Sequence, residues 1–80
     1  MSDSEVTGRI ENWWIGWSYK KEYQIAGNLY DDVHGRWEDG VLFHTSGIQS
    51  KDFPIHKLQP GDVVQTRNSR YLLGEKLVMP

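Results

Sequence analysis

Gln59-Pro60-Gly61-Asp62, followed by Val63-Val64-Gln65-Thr66-Arg67, Asn68-Ser69 and Arg70-Tyr71-Leu72-Leu73, is the stretch that decides the fold class. Pro60 and Gly61 hold the central positions of a type II turn, where proline presets φ and glycine accepts a positive one. The apolar and β-branched runs on either side of Asn68-Ser69 then read as the two arms of a β-hairpin, ended by Gly74.

Moving outward, the same grammar recurs about every ten residues, the spacing of a meander, sandwich or small barrel. Val41–Ser46 reads as a third strand and Ile48–Phe53 as a fourth, divided by Gly47 and stopped by Pro54. Residues 55–58 form a brief 3₁₀ turn or a link. Asp39-Gly40 is a turn dipeptide that closes a loop opened by Asp31-Asp32. Tyr23–Tyr30 is the second strand, with Tyr23, Ile25, Gly27 and Leu29 on its inner face. Gly16–Glu22 is a hairpin loop, and Val6–Ile15 is the first strand. Strict alternation along that strand puts Val6, Gly8, Ile10, Asn12 and Trp14 on one face. Trp13 falls on the other. The tail Glu75–Pro80 either pairs as a short edge strand or packs Leu77, Val78 and Met79 on the core.

No apolar stripe of helical period lasts beyond one turn, so the expectation is all-β. Five or six short antiparallel strands fit a small SH3-like barrel, or else a strongly twisted sheet that oligomerises. Closing the barrel or pairing edges between subunits both deal with exposed edges. Residues 1–5 are polar and read as a disordered N-terminus; residues 6–80 make one small β domain.

Composition narrows the function. Eighty residues bury about 60% of the surface of the unfolded chain, leaving a thin core. There is no cysteine, hence no disulfide framework and no thiolate metal site, which suits a reducing cytoplasm. The first residues lack the basic start and apolar run of a signal peptide, and no apolar run approaches the roughly 20 residues that cross a bilayer. A soluble protein with no membrane partner is expected. Nine Lys and Arg against eleven Asp and Glu give a net charge of −2, poorly suited to duplex DNA.

Catalytic signatures are missing. There is no Gly-x-Ser-x-Gly elbow, no Gly-x-Gly-x-x-Gly and no phosphate loop. His34, His44 and His56 are spaced without a local pair, unlike a zinc site. His44-Thr45-Ser46 matches a His-x-Ser/Thr element of two-histidine phosphoesterases, but no second copy follows. A non-enzymatic protein without metal or cofactor is expected.

The aromatic surplus, four Trp and four Tyr, is the most informative feature. Trp14 and Tyr23 are assigned to the core. Trp13 on the opposite face and Trp17 in the loop, with Tyr19, Lys20 and Lys21, make the leading contact surface, since exposed rings beside cations anchor protein interfaces or stack bases. Arg36-Trp37 and the hairpin tip Arg67-Asn68-Ser69-Arg70 present guanidinium forks suited to carboxylate or phosphate. With His44, the binding candidates are therefore Trp13, Trp17, Tyr19, Lys20, Lys21, Arg36, Trp37, His44, Arg67, Asn68 and Arg70.

Gly27-Asn28-Leu29-Tyr30-Asp31, Gly35-Arg36-Trp37-Glu38-Asp39-Gly40, His44-Thr45-Ser46, Val63 through Tyr71 and Leu73-Gly74 together resemble small β proteins encoded by tailed bacteriophages and prophages. The resemblance covers residues from Gly27 to Gly74 and rests on strand-and-turn pattern, with no functional residues to carry over. It implies the cytoplasm of a bacterial host, and an accessory protein that binds and inhibits a host defence protein. Self-association is a second expected contact. The alternatives are a sponge holding a small nucleotide between Trp or Tyr rings and Arg36, Arg67 or Arg70, and a small barrel that binds nucleic acid.

Overall fold

In the computed structural model, which describes residues 6–45, 47–48, 55–66 and 69–78, β1 (Gly8–Trp17) and β2 (Tyr23–Tyr30) form a long antiparallel hairpin. The Ser18 N–H donates to Glu22 O at 2.8 Å and the Lys21 N–H to Ser18 O at 2.9 Å, with Lys21 at φ 63°. A three-residue loop ending in a left-handed residue matches the twist of the flanking strands. β3 (Val41–His44) adds antiparallel to β2, and β4 (Val63–Gln65) pairs antiparallel with β5 (Arg70–Leu73). The Gln59–Asp62 turn forms as the sequence predicts, with Gly61 at φ 95° and the Asp62 N–H donating to Gln59 O at 3.1 Å.

The sheet runs β3-β2-β1-β5-β4, and it is mixed. β5 lies parallel to β1, Gly8 opposite Tyr71 and Ile10 opposite Leu73, which corrects the expectation of purely antiparallel pairing. The reason is the route of the connection. β3 exits at the β1–β2 hairpin end, where Ile48 bridges Tyr23. On the other edge of the sheet β4 starts with Val63 opposite Leu72, level with Arg9, and runs toward the start of β1. β4 therefore runs against β1, and β5, turning back, runs with it. The 3₁₀ turn Ile55–Lys57 falls where the sequence places one, and Ile48, Ile55 and Leu58 from this connection are buried in the core. The expected fourth strand, Ile48–Phe53, is reduced among the described residues to the Ile48 bridge; residues 49–53 lie outside them.

The sheet is curled but open. Phe43 of β3 and Tyr71 of β5 bring their ring centroids to 5.4 Å although β2 and β1 stand between their strands. No described pairing joins β3 to β4, so the closed SH3-like barrel of the sequence reading is replaced by a curled five-stranded sheet.

The larger correction is in β1. Glu11 pairs with Asn28, but the next pair is Trp14 with Ala26, so Asn12 and Trp13 together face Gly27. Asn12 sits at φ 53°, a left-handed conformation that Asn tolerates better than most residues. This bulge shifts the alternation by one residue. Ile10 and Trp13 point into the core, and Trp13, predicted on the contact face, is 0% exposed while Trp14, predicted in the core, is 39% exposed. The expected inner residues of β2 hold: Ile25, Gly27 and Leu29 are buried and Tyr23 is half-buried.

The tail continues the pairing past the bulge. The Gly74 N–H donates to Ile10 O at 2.8 Å, the Trp13 N–H to Glu75 O at 3.2 Å, and the Leu77 N–H to Trp13 O at 2.9 Å. The Glu11 carboxylate accepts the Glu75 N–H at 2.8 Å, and the Trp13 indole Nε1–H donates to Gly74 O at 2.8 Å. Of the tail residues offered to the core, Leu77 is half-buried and Val78 is exposed; Met79 lies outside the described residues.

A Cβ at Gly27 would lie 2.7 Å from both Glu11 O and Ile10 Cγ2 and 3.0 Å from Trp13 Cα. Backbone cannot yield there cheaply, so Gly27→Ala is expected to destabilise the protein by about 1–3 kcal/mol in urea denaturation. Trp13→Ala, which empties the centre of the core, is expected to cost about 3–5 kcal/mol by the same measurement.

Candidate functional site

With the core on the inner side, the outward residues of β1–β3 form rows across the sheet. Arg9 stands beside Tyr30, Glu11 beside Asn28 and Leu42, Trp14 beside Ala26 and His44, and Gly16 beside Gln24. The first row is internally compensated. Arg9 pairs with Glu11 Oε2 and Asp31 Oδ2, each at 2.7 Å, and its guanidinium lies 5.0 Å from the Tyr30 ring centroid. The rows beyond Glu11, Trp14 with Ala26 and His44 and Gly16 with Gln24, hold no Lys, Arg, Asp or Glu. Small residues, Gly16 and Ala26, floor a hollow of about 350 Å³ whose walls include Trp14, Trp17, Leu42 and His44. Leu42 is 70% and Trp17 61% exposed, a concentration of apolar surface of the kind that marks contact sites.

The hollow runs out to the β1–β2 hairpin. Trp17 packs edge-on against Tyr23 with centroids 4.7 Å apart, and Tyr23 in turn meets the His56 ring at 5.1 Å and donates to or accepts from its Nε2 at 3.1 Å. Tyr19, at the tip, is 91% exposed, with Lys20 Nζ 6.0 Å from its ring centroid and Lys21 next in the loop. Trp17, Tyr19, Lys20 and Lys21 are thus on the surface as the sequence indicates. Trp13 is removed from this group by its burial.

A second locus lies at the open seam of the sheet. Arg36, Trp37, Phe43, His44, Thr66, Ser69 and Tyr71 line a hollow of about 190 Å³, and a shallower one of about 440 Å³ adjoins it over Arg36–Val41. Trp37 is 49% exposed, its centroid 6.3 Å from that of Phe43. His44 stands on the rim between the two loci, its Nδ1 3.4 Å from Gln24 Nε2 and 3.2 Å from Thr45 O. Arg70 is not among the lining residues; its backbone N–H donates to Thr7 Oγ1 at 3.1 Å. Arg67 and Asn68 lie outside the described residues.

The loop carrying Trp37 is organised by Asp32, whose side chain is almost fully covered. Its Oδ2 accepts the Arg36 N–H at 2.9 Å and its Oδ1 the His34 N–H at 3.3 Å, with Arg36 Nε at 3.7 Å. Desolvation pushes this carboxyl upward, but the two N–H donors and the Arg36 and His34 charges outweigh it and hold it below the usual carboxylate value.

His34, His44 and His56 stay apart, and among the described residues no group of three metal-ligating side chains converges. No described helix is long and apolar enough to cross a membrane. In comparison with known proteins, no family model, curated protein or solved structure matches this chain.

Trp14, Gln24, Ala26 and Leu42 are the surface residues that reading the sequence missed. Leu42 carried a signal, since it alternates with inward Val41 and Phe43. Trp14 was hidden by the bulge.

Because the folded pKa of Asp32 is depressed, its contribution is present above about pH 4 and is lost as pH falls through the folded value. The His34 and Arg36 amide proton shifts are expected to titrate together below about pH 4 in an NMR series. In Asp32→Asn they should lose that titration.

Proposed function

We propose that this is a non-enzymatic accessory protein of a phage or prophage, acting in the cytoplasm of its bacterial host by binding and inhibiting a host defence protein. The observation that carries the reading is the hollow on the outer face of β1–β3, bounded by the exposed Trp14 and Leu42 and reaching Trp17 at the hairpin end. Aromatic anchors at the centre of a contact, with a polar or charged rim, give protein interfaces most of their affinity. Here the rim is Gln24 and His44 on one side and Lys20 and Lys21 at the hairpin tip. The phage assignment rests on the resemblance from Gly27 to Gly74.

The test is affinity purification of the tagged chain from infected cells, followed by titration with the host protein recovered. Trp17→Ala and Leu42→Asp are each expected to weaken that complex by about 2 kcal/mol, roughly 30-fold, with the fold retained by circular dichroism. Full affinity in both variants would remove this face from the interface.

A second reading, a nucleotide sponge, is favoured by the two adjoining hollows that share Arg36 and Trp37. A base stacked on Trp37 with its phosphate at Arg36 would use a ring and a guanidinium that line the same two hollows. It predicts stabilisation of about 2.7 kcal/mol at a hundredfold excess of nucleotide over Kd, lost in Trp37→Ala. A flat melting response across cyclic and linear nucleotides eliminates it.

A further inference from the structure

β3 is an outer strand of the sheet. Alternate residues of an antiparallel strand turn their N–H and C=O groups to opposite sides. The Thr45 N–H donates to Ile25 O at 2.9 Å, and Phe43 lies opposite Gly27 in the same phase. Leu42 and His44 consequently direct their backbone groups away from β2, and among the described residues nothing accepts or donates to them there.

Natural sheets blunt such edges with lysine, proline, a bulge or a covering element. Val41-Leu42-Phe43-His44 has no lysine, no proline and no bulge, and its outward side chain Leu42 is largely exposed. The other edge differs: β4 is three residues long and is entered through Pro60-Gly61-Asp62.

We propose that β3 pairs antiparallel with β3 of a second copy of this chain, about a two-fold axis at Phe43. That register sets Leu42 against the partner's His44 and His44 against the partner's Leu42, so every outward N–H and C=O of the two strands finds a partner. Like edges meeting across a two-fold close the assembly, whereas β3 meeting β4 would propagate as an open fibre. Charge favours the same occupant. Each copy carries −2, yet Val41–His44 itself holds no Lys, Arg, Asp or Glu, so the paired strands bring no like charges into direct opposition.

A standard interface covers about a tenth of a small protein's surface, and the chain exposes 5654 Å². Leu42 and Trp14 on one side of the edge and Trp37 on the other are the exposed apolar groups available for that tenth. The consequence is functional. Pairing brings the two outer hollows onto one continuous sheet, doubling the apolar face offered to a partner.

Sedimentation equilibrium and amide hydrogen exchange on the full chain, over roughly a hundredfold range of concentration, test this. The mass should rise from one chain to two, and the Leu42 and His44 amides should exchange about tenfold more slowly at the high end. Leu42→Lys, at an exposed position and with unchanged melting, should weaken the dimer at least tenfold. Trp17→Ala, which bears on partner binding, should leave it intact, so the two readings fail separately. A single-chain mass throughout, a dimer indifferent to Leu42→Lys, or protection appearing at Val63 and Gln65 instead would each overturn the proposal.

Discussion

The meeting of Asn12 and Trp13 with Gly27 is the constraint on which the rest of this structure depends. Two residues of β1 occupy the space of one on β2, and this requires a strand neighbour with no side chain and a bulge residue that accepts positive φ. Gly27 and Asn12 meet those needs. The product is a phase change that turns Trp13, the largest fully buried side chain among the described residues, into the core. Its indole N–H and its backbone then hold the tail at Gly74, Glu75 and Leu77. One irregularity therefore couples the first strand to the last segment and fixes which face of β1 is wet.

That phase change also composes the outer surface. Trp14 emerges beside Ala26 and His44, next to Leu42, on a part of the sheet whose ion pairs are confined to the far row around Arg9. Among the described aromatic residues, Tyr23, Tyr30 and Phe43 are half-buried and the others lie at the two extremes. Trp13 and Tyr71 are buried, while Trp14, Trp17, Tyr19 and Trp37 remain available. In a chain with a thin core, exposing four large rings forgoes burial that would otherwise stabilise the fold. Such a sacrifice is consistent with contact as their role, and it is the physical ground for the proposed protein partner.

The open seam follows from topology. Because β4 re-enters the sheet running against β1, β5 lies parallel to β1, and β3 and β4 stand at opposite edges without a described pairing between them. The Asp32-centred loop places Trp37 over that seam, near Phe43, without closing it. Among the described residues, an apolar hollow, the seam and an unprotected strand edge meet at His44.

The chain alone determined the strands, because period-two alternation and turn residues are local: Tyr23–Tyr30, the Pro60-Gly61 turn, the Asn68-Ser69 hairpin arms and the 3₁₀ turn at Ile55 were all legible. So was the exposure of Tyr19, Lys20 and Lys21, since a hairpin tip has no face to bury; Trp17, expected in the loop with Gly16, is instead the exposed last residue of β1. Tertiary structure decided the rest. Whether Trp13 or Trp14 enters the core depends on a bulge admitted by Gly27, fourteen positions beyond Trp13. The parallel β1–β5 pair depends on where a connection re-enters the sheet. Both are contacts between distant segments, and no local pattern of side chains encodes which distant backbone will lie alongside.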